Sequence, residues 1–118
     1  MKPILQVALD FVDLSRAIKC AEESVKGKVD WLEAGTPLIK SEGLNAVRKL
    51  RERFPDKIIV ADMKVMDAGR IEVEIAAKAG ANVICVLGAA SDSTIKECVE
   101  AAHNYGAKIQ LDLIAIKD

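Results

Sequence analysis

The sequence predicts an α/β fold: parallel (β/α) repeats of a TIM barrel, with about four and a half of the eight units present in 118 residues. Three observations point there. Short apolar runs of strand type alternate with longer runs of helical period. Helix stops recur in register: Gly27 to Gly80 spans 53 residues and Gly80 to Gly106 spans 26, with Phe54–Pro55 near the midpoint of the wider gap. The strands also carry one wholly apolar face and one that admits polar groups toward its C-terminal end.

Taken in order, the strand candidates are ILQVALD (4–10), DWLEAG (30–35), KIIVAD (57–62), NVICVLG (82–88) and KIQLDLI (108–114). Four helical segments lie between them. The first places Leu14, Ala17, Ile18, Ala21 and Val25 on one face, with Asp13 as N-cap and Gly27 after the end. The second carries Leu44, Val47, Leu50 and Phe54 and stops before Pro55. The third has Ile71, Ile75 and Ala79, ended by Gly80; the fourth has Ile95, Cys98, Val99 and Ala102, ended by Gly106.

Short loops between alternating strands and helices imply a parallel sheet with right-handed crossovers. Two architectures compete. A five-stranded doubly wound sheet fits the length, whereas a complete barrel at this repeat needs roughly 210 residues. Side-chain alternation decides between them. In the first strand Ile4, Gln6, Ala8 and Asp10 share a face opposite Leu5, Val7 and Leu9; in the third, Val60, Asp62 and Lys64 oppose Ile59, Ala61 and Met63; in the fifth, Gln110 and Asp112 oppose Ile109, Leu111 and Leu113. Helices on both faces of an open sheet would require both faces to be apolar. A barrel asks this only of its outer face, so the pattern favours the barrel. The expected organisation is one domain over residues 1–118, the N-terminal part of a barrel ending after its fifth strand.

Composition narrows the function classes. Net charge is −1 and the pI is near 5.9, which gives no footprint for nucleic acid. No apolar run reaches the length of a membrane span, and the N-terminus lacks the layout of a signal peptide, so a cytoplasmic setting is expected. Cys20, Cys85 and Cys98 are widely spaced, with no CxxC pair, and read as buried thiols rather than disulfides or a zinc site.

The chemistry gathers at the strand ends. Asp10, Glu33, Asp62, Lys64 and, with them, Asp112 fall on the C-terminal rim, where α/β enzymes place their sites. Burying unpaired charge costs several kcal/mol, so such groups persist when they pair, bind metal or do chemistry. Three acids near one lysine suit Mg²⁺, which takes oxygen ligands and keeps waters for substrate to replace. Lys64, expected between Asp62 and Asp67, would stay cationic and stabilise or protonate a developing oxyanion. A structural ion-pair network at the strand end is the alternative.

Asp62-Met63-Lys64-Val65-Met66-Asp67 has the D-x-K-x-x-D form of the orotidine 5′-monophosphate decarboxylase superfamily. LQVALD (5–10), EAGTPLIKSEG (33–43), VADMKVMDAG (60–69), KAGANVICVLGAA (78–90) and LDLI (111–114) resemble its 3-hexulose-6-phosphate synthase branch, in family order at the expected strand ends. The resemblance implies a homodimeric barrel and Mg²⁺-dependent aldol addition of formaldehyde to D-ribulose 5-phosphate. It implies Glu33 and Asp62 as metal ligands and Asp10 as a ligand to substrate hydroxyls. Lys64 would sit beside the enediolate, and Asp67 would reach into the neighbouring subunit's site. It leaves the proton-removing base open, with Asp112 a candidate. The family's phosphate loops follow strands seven and eight, and no residue here maps to them. The chain is therefore expected to be an N-terminal portion with little or no synthase activity alone.

A 3-keto-L-gulonate-6-phosphate decarboxylase is the alternative within the superfamily, sharing barrel, magnesium and D-x-K-x-x-D. A phosphorylation-receiver domain of flavodoxin-like fold is a more distant one. It has a similar repeat and length, but the first strand here brings one acid rather than a pair, and Glu33 has no counterpart there. His103 near a helix end, Trp31 at a strand start and RKLRER (48–53) read as structural, the last as a solvated helix face. Arg70 and Glu72 read as surface groups or dimer contacts near Asp67, and Gly88 as a tight turn at the rim.

Overall fold

A computed structural model of the chain describes residues 1–117. The elements are β1 (Gln6–Leu9), α1 (Leu14–Lys26), β2 (Trp31–Ala34), α2 (Thr36–Glu42), α3 (Asn45–Arg53), β3 (Ile58–Val65), α4 (Gly69–Ala79), β4 (Val83–Leu87), α5 (Asp92–Asn104) and β5 (Lys108–Asp112). All five strands fall inside or across the expected runs. β3 outlasts its expected end at 62, continuing through Lys64 to Val65.

The sheet is wholly parallel and its strand order is β1-β2-β3-β4-β5. Order decides the architecture. A doubly wound sheet must reverse its strand order to place helices on both faces. A sequential order with right-handed crossovers puts every helix on one side. The packing agrees. Leu9, Leu32, Ile59, Ile84 and Val86 pack with Ala17, Leu50, Val73 and Cys98 in one core between the outer sheet face and the helices. Val60, Val83 and Cys85, also buried, belong to the opposite face and lie outside that core. The arrangement is a segment of a barrel wall.

Local chemistry explains the helix bounds. The Asp13 side chain accepts the Arg16 N–H at 3.0 Å and caps α1, an interaction of about 1 kcal/mol. Ser91 caps α5 by accepting the Thr94 N–H. Gly80 closes α4 with φ +117, a left-handed conformation that costs a side chain strain.

Three expectations change. EAGTPLI contains a helix, α2, with Pro37 in its first turn, where a missing N–H costs nothing. The inward stripe of α4 is Gly69, Val73, Ala76 and Ala79, while Ile71 and Ile75 are 61% and 43% exposed. The RKLRER run is not uniformly solvated. Arg51 turns inward, donating to the carbonyls of Gly80 (3.0 and 2.9 Å) and Lys57 (2.8 Å) and to Asn82 Oδ1, which also accepts the Ile59 N–H at 2.9 Å. This guanidinium ties the end of α3 to the starts of β3 and β4.

Arg51→Ala is expected to cost about 2–3 kcal/mol in chemical denaturation, because several carbonyls lose a charged donor. Arg48→Ala, on the exposed face of the same helix, should stay within about 0.5 kcal/mol.

Candidate active site

Register carries the polar face across the sheet. Gln6 pairs with Trp31 and Trp31 with Ile58; Glu33 pairs with Val60 and Val60 with Val83; Cys85 pairs with Gln110 and Leu87 with Asp112. Residues in parallel register share a face, so Gln6, Glu33, Asp62, Cys85, Gln110 and Asp112 all belong to the inner one. Glu33, Asp62, Cys85, Gln110 and Asp112 line a single cleft of about 240 Å³, with Leu111 and Leu113 at its edge.

Within that cleft β3 departs from regular pairing. Ala61 pairs with Ile84 and Val65 with Val86, so four steps along β3 oppose two along β4. The bulge leaves Asp62, Met63 and Lys64 outside the ladder, and Lys64 takes φ +43. A lysine in the left-handed region is strained, and such strain clusters at functional positions. The bulge aims Lys64 at two acids. Its Nζ lies 3.0 Å from Asp62 Oδ2 and 2.6 Å from Asp112 Oδ2. The Asp112 hydrogen bond, then Asp62, push the ammonium well above the ordinary lysine value, against desolvation. Lys64 is therefore a fixed cation.

Asp112 is held below the usual carboxylate range, first by Lys64 and then by the Ile114 N–H at 2.8 Å. Those bonds lower its proton affinity and count against it as the base. Asp67, expected beside Lys64, is not among the groups holding it. It is exposed in the turn before α4, its carbonyl accepting from Gly69 N–H and Thr94 Oγ1. No local pattern signals that a partner from β5 displaces the nearer acid, since strand curvature sets that contact.

Glu33 sits differently. Burial raises its carboxyl above the ordinary value, and the charges of Asp62 and Asp10 push the same way, against a hydrogen bond from Gln6. Gln6 Nε2 donates to Glu33 Oε1 at 2.6 Å, across β1 and β2. Gln6 is a positioning residue that sequence reasoning placed on the correct face without giving it a role. Asp10 follows β1 at the same rim. A side chain at Gly35 would drive its Cβ into Asp10 Oδ1, so that glycine is what admits the carboxylate. Thr36 Oγ1 donates to the Asp62 carbonyl at 2.9 Å, pinning the β2–α2 turn to β3. Gly88 N–H donates to the Asp112 carbonyl at 2.9 Å, and a Cβ there would crowd that oxygen at 3.1 Å.

Whether these residues suit a divalent cation can be tested on the site itself. Asp62 Oδ1 is buried with no hydrogen-bond partner. The charges of Asp62 and Asp10 both act against an ionised Glu33, and Lys64 bonds only the other oxygen of Asp62. A buried carboxylate oxygen without a partner, in one cleft with a second carboxyl raised by burial and then by neighbouring acids, is the kind of oxygen-donor set that magnesium fits.

The other singled-out residues take structural places. Arg70 pairs with Glu100 at 3.0 Å, and His103 lies in the last turn of α5. Trp31 is half-buried at the start of β2. All three cysteines are free thiols, but Cys20 is only half-buried, and Cys85 lies inside the cleft rather than in passive core. No helix among the described residues is long and apolar enough to cross a membrane.

The family model for orotidine 5′-phosphate decarboxylase / HUMPS matches residues 3–118. A 3-hexulose-6-phosphate synthase of Mycobacterium gastri is 47% identical over 114 residues, covering 97% of this chain and 55% of the relative. A crystal structure of 3-hexulose-6-phosphate synthase superposes with a TM-score of 0.95 at 47% identity, covering 98% of this chain and 56% of that one. KGPDC from Streptococcus mutans superposes with a TM-score of 0.91 at 39% identity, over 98% of this chain and 54% of that one. The chain spans about half the length of the curated relatives it matches.

Glu33→Gln is expected to raise the melting temperature at pH 7 while preserving the acceptor for Gln6. The sign follows from linkage: a carboxyl raised on folding opposes folding once ionised. The gain should shrink as pH falls toward the ordinary value of 4.5 and be gone below it, where Glu33 is protonated in both states. Thermal melts of both proteins across that range check it.

Proposed function

Because the chain belongs to the orotidine 5′-phosphate decarboxylase / HUMPS family, we propose that its rim performs Mg²⁺-dependent aldol addition of formaldehyde to D-ribulose 5-phosphate, giving 3-hexulose 6-phosphate, and the reverse. The observation that supports this most is the Lys64 ammonium fixed 3.0 Å from Asp62, whose other oxygen is buried and unpaired. Similarity to synthases, at 47% identity, favours this chemistry over its neighbours.

Glu33 and Asp62 would hold the magnesium, which when bound supplies Lewis-acid stabilisation of the substrate's adjacent oxygens. The chain's own groups divide the rest. Gln6 orients Glu33. Asp10, admitted by Gly35, accepts from substrate hydroxyls at the rim. Removing the proton beside the ketone builds negative charge on oxygen, and Lys64, held cationic, would stabilise that charge. Its raised proton affinity makes it an electrostatic stabiliser more than a proton donor. Asp112 positions Lys64 from the far side. The substrate's phosphate would be held by later barrel loops.

Asp67 acts from a second copy of the chain. Met66, Ile71 and Ile75, on and before α4, are 51%, 61% and 43% exposed. A homodimer covering them would carry Asp67 to its partner's rim. The protein would work in the cytoplasm.

A 3-keto-L-gulonate-6-phosphate decarboxylase is the second reading, favoured by the 39% identity to KGPDC. Joining residues 1–118 to the second half of the Mycobacterium gastri relative tests both. The expected chimaera consumes formaldehyde only with D-ribulose 5-phosphate and Mg²⁺, and loses activity with a chelator. A folded, dimeric chimaera that instead releases CO₂ from 3-keto-L-gulonate 6-phosphate would overturn the reading. In the same background Lys64→Ala should cut kcat by about 10²–10³-fold, the scale of losing one preorganised charge-stabilising donor.

A further inference from the structure

Cys85 has no part in the reaction above, yet it lies in the same cleft. It projects from β4, between the strands that bear Asp62 and Asp112, and is 5% exposed. Its Sγ, one carboxylate oxygen of Asp62 and one of Asp112 all lie within 4.8 Å of one another. Asp62 Oδ1 is buried and has no conventional hydrogen-bond partner.

We propose that Cys85, Asp62 and Asp112 form a second cation site, selective for thiophilic divalent ions such as zinc, cobalt or cadmium. Donor chemistry sets the selectivity: one sulfur with two oxygens suits a borderline-soft ion, whereas magnesium takes oxygen alone. Tetrahedral zinc with bonds of about 2.3 Å to sulfur and about 2.1 Å to oxygen holds its ligands roughly 3.6 Å apart, so the triad need close by only about an ångström. As the metal–sulfur bond forms the S–H bond breaks, and its proton leaves to solvent. Charge balances as well. Two carboxylates and the Lys64 ammonium sum to −1; the thiolate makes this −2, which one divalent ion neutralises.

Asp62 belongs to both this triad and the proposed magnesium pair, so the two occupancies exclude each other. A thiophilic ion would therefore inhibit in competition with magnesium. That consequence rests on the proposed function; the site does not.

Titration of the purified chain with Co²⁺ is the test. The expected result is a thiolate-to-cobalt charge-transfer band saturating at one ion per chain, unchanged in Cys20→Ser and absent in Cys85→Ser. Asp112→Asn should weaken binding by at least the roughly 10–100-fold that loss of an outer-shell partner costs. On the unaltered chain, Zn²⁺ calorimetry in two buffers of different ionisation enthalpy should count one proton released per ion. Absence of the band, its persistence in Cys85→Ser, or binding without proton release would overturn the site. The band in this chain, together with a folded chimaera lacking synthase activity, would leave the site standing and remove only the functional reading.

Discussion

One ammonium group joins strands that do not touch. Lys64 leaves β3 and meets Asp112 of β5, passing over β4. Neighbouring strands lie about 4.8 Å apart, so carboxylates from β3 and β5 start from backbones roughly 10 Å apart on a flat sheet. They reach a common partner because the inner face is concave, and the bulge at Asp62–Lys64 turns the lysine into that concavity. The site depends on this cross-strand bridge. It fixes which oxygen of Asp62 is consumed and which stays free.

The bridge in turn requires the one-sided fold. Sequential strands put all five helices behind the sheet and give Leu32, Ile59 and Ile84 to the core, leaving the opposite face to Glu33, Asp62 and Cys85. The same layout buries Glu33 and sets it near Asp62 and Asp10, which together raise its carboxyl despite the Gln6 hydrogen bond. Burying that carboxyl is expected to cost stability, and the chain places the cost on the inner face, away from its main core. Arg51 and the Asp13 cap stabilise the fold elsewhere, among the helices and at the starts of the strands.

Much of this was legible in the residues. Period-two alternation put Gln6, Asp62 and Asp112 on one face, and glycine stops set the repeat. The failures have physical causes. No helix is expected over 36–42 because Gly35, Pro37 and Gly43 are loop formers, yet two glycines and a first-turn proline also delimit a seven-residue helix. Ile71 and Ile75 read as a buried stripe because hydrophobicity alone cannot separate core from exposed surface. Arg51 was lost in a charged run, since nothing local says which arginine of RKLRER will meet the carbonyls of Gly80 and Lys57. Asp67 reads as the Lys64 partner ahead of Asp112 because sequence distance says nothing of which strand ends meet across the sheet.

If Glu33 and Asp62 share one hard cation beside a lysine held by Asp62 and Asp112, crystals grown with Mn²⁺ must show it in an anomalous difference map. One strong peak is expected, contacting carboxylate oxygens of both Glu33 and Asp62, with Lys64 Nζ still hydrogen-bonded to Asp112. A manganese bound away from Glu33, or Glu33 and Asp62 carboxylates turned to separate sites, would contradict that arrangement.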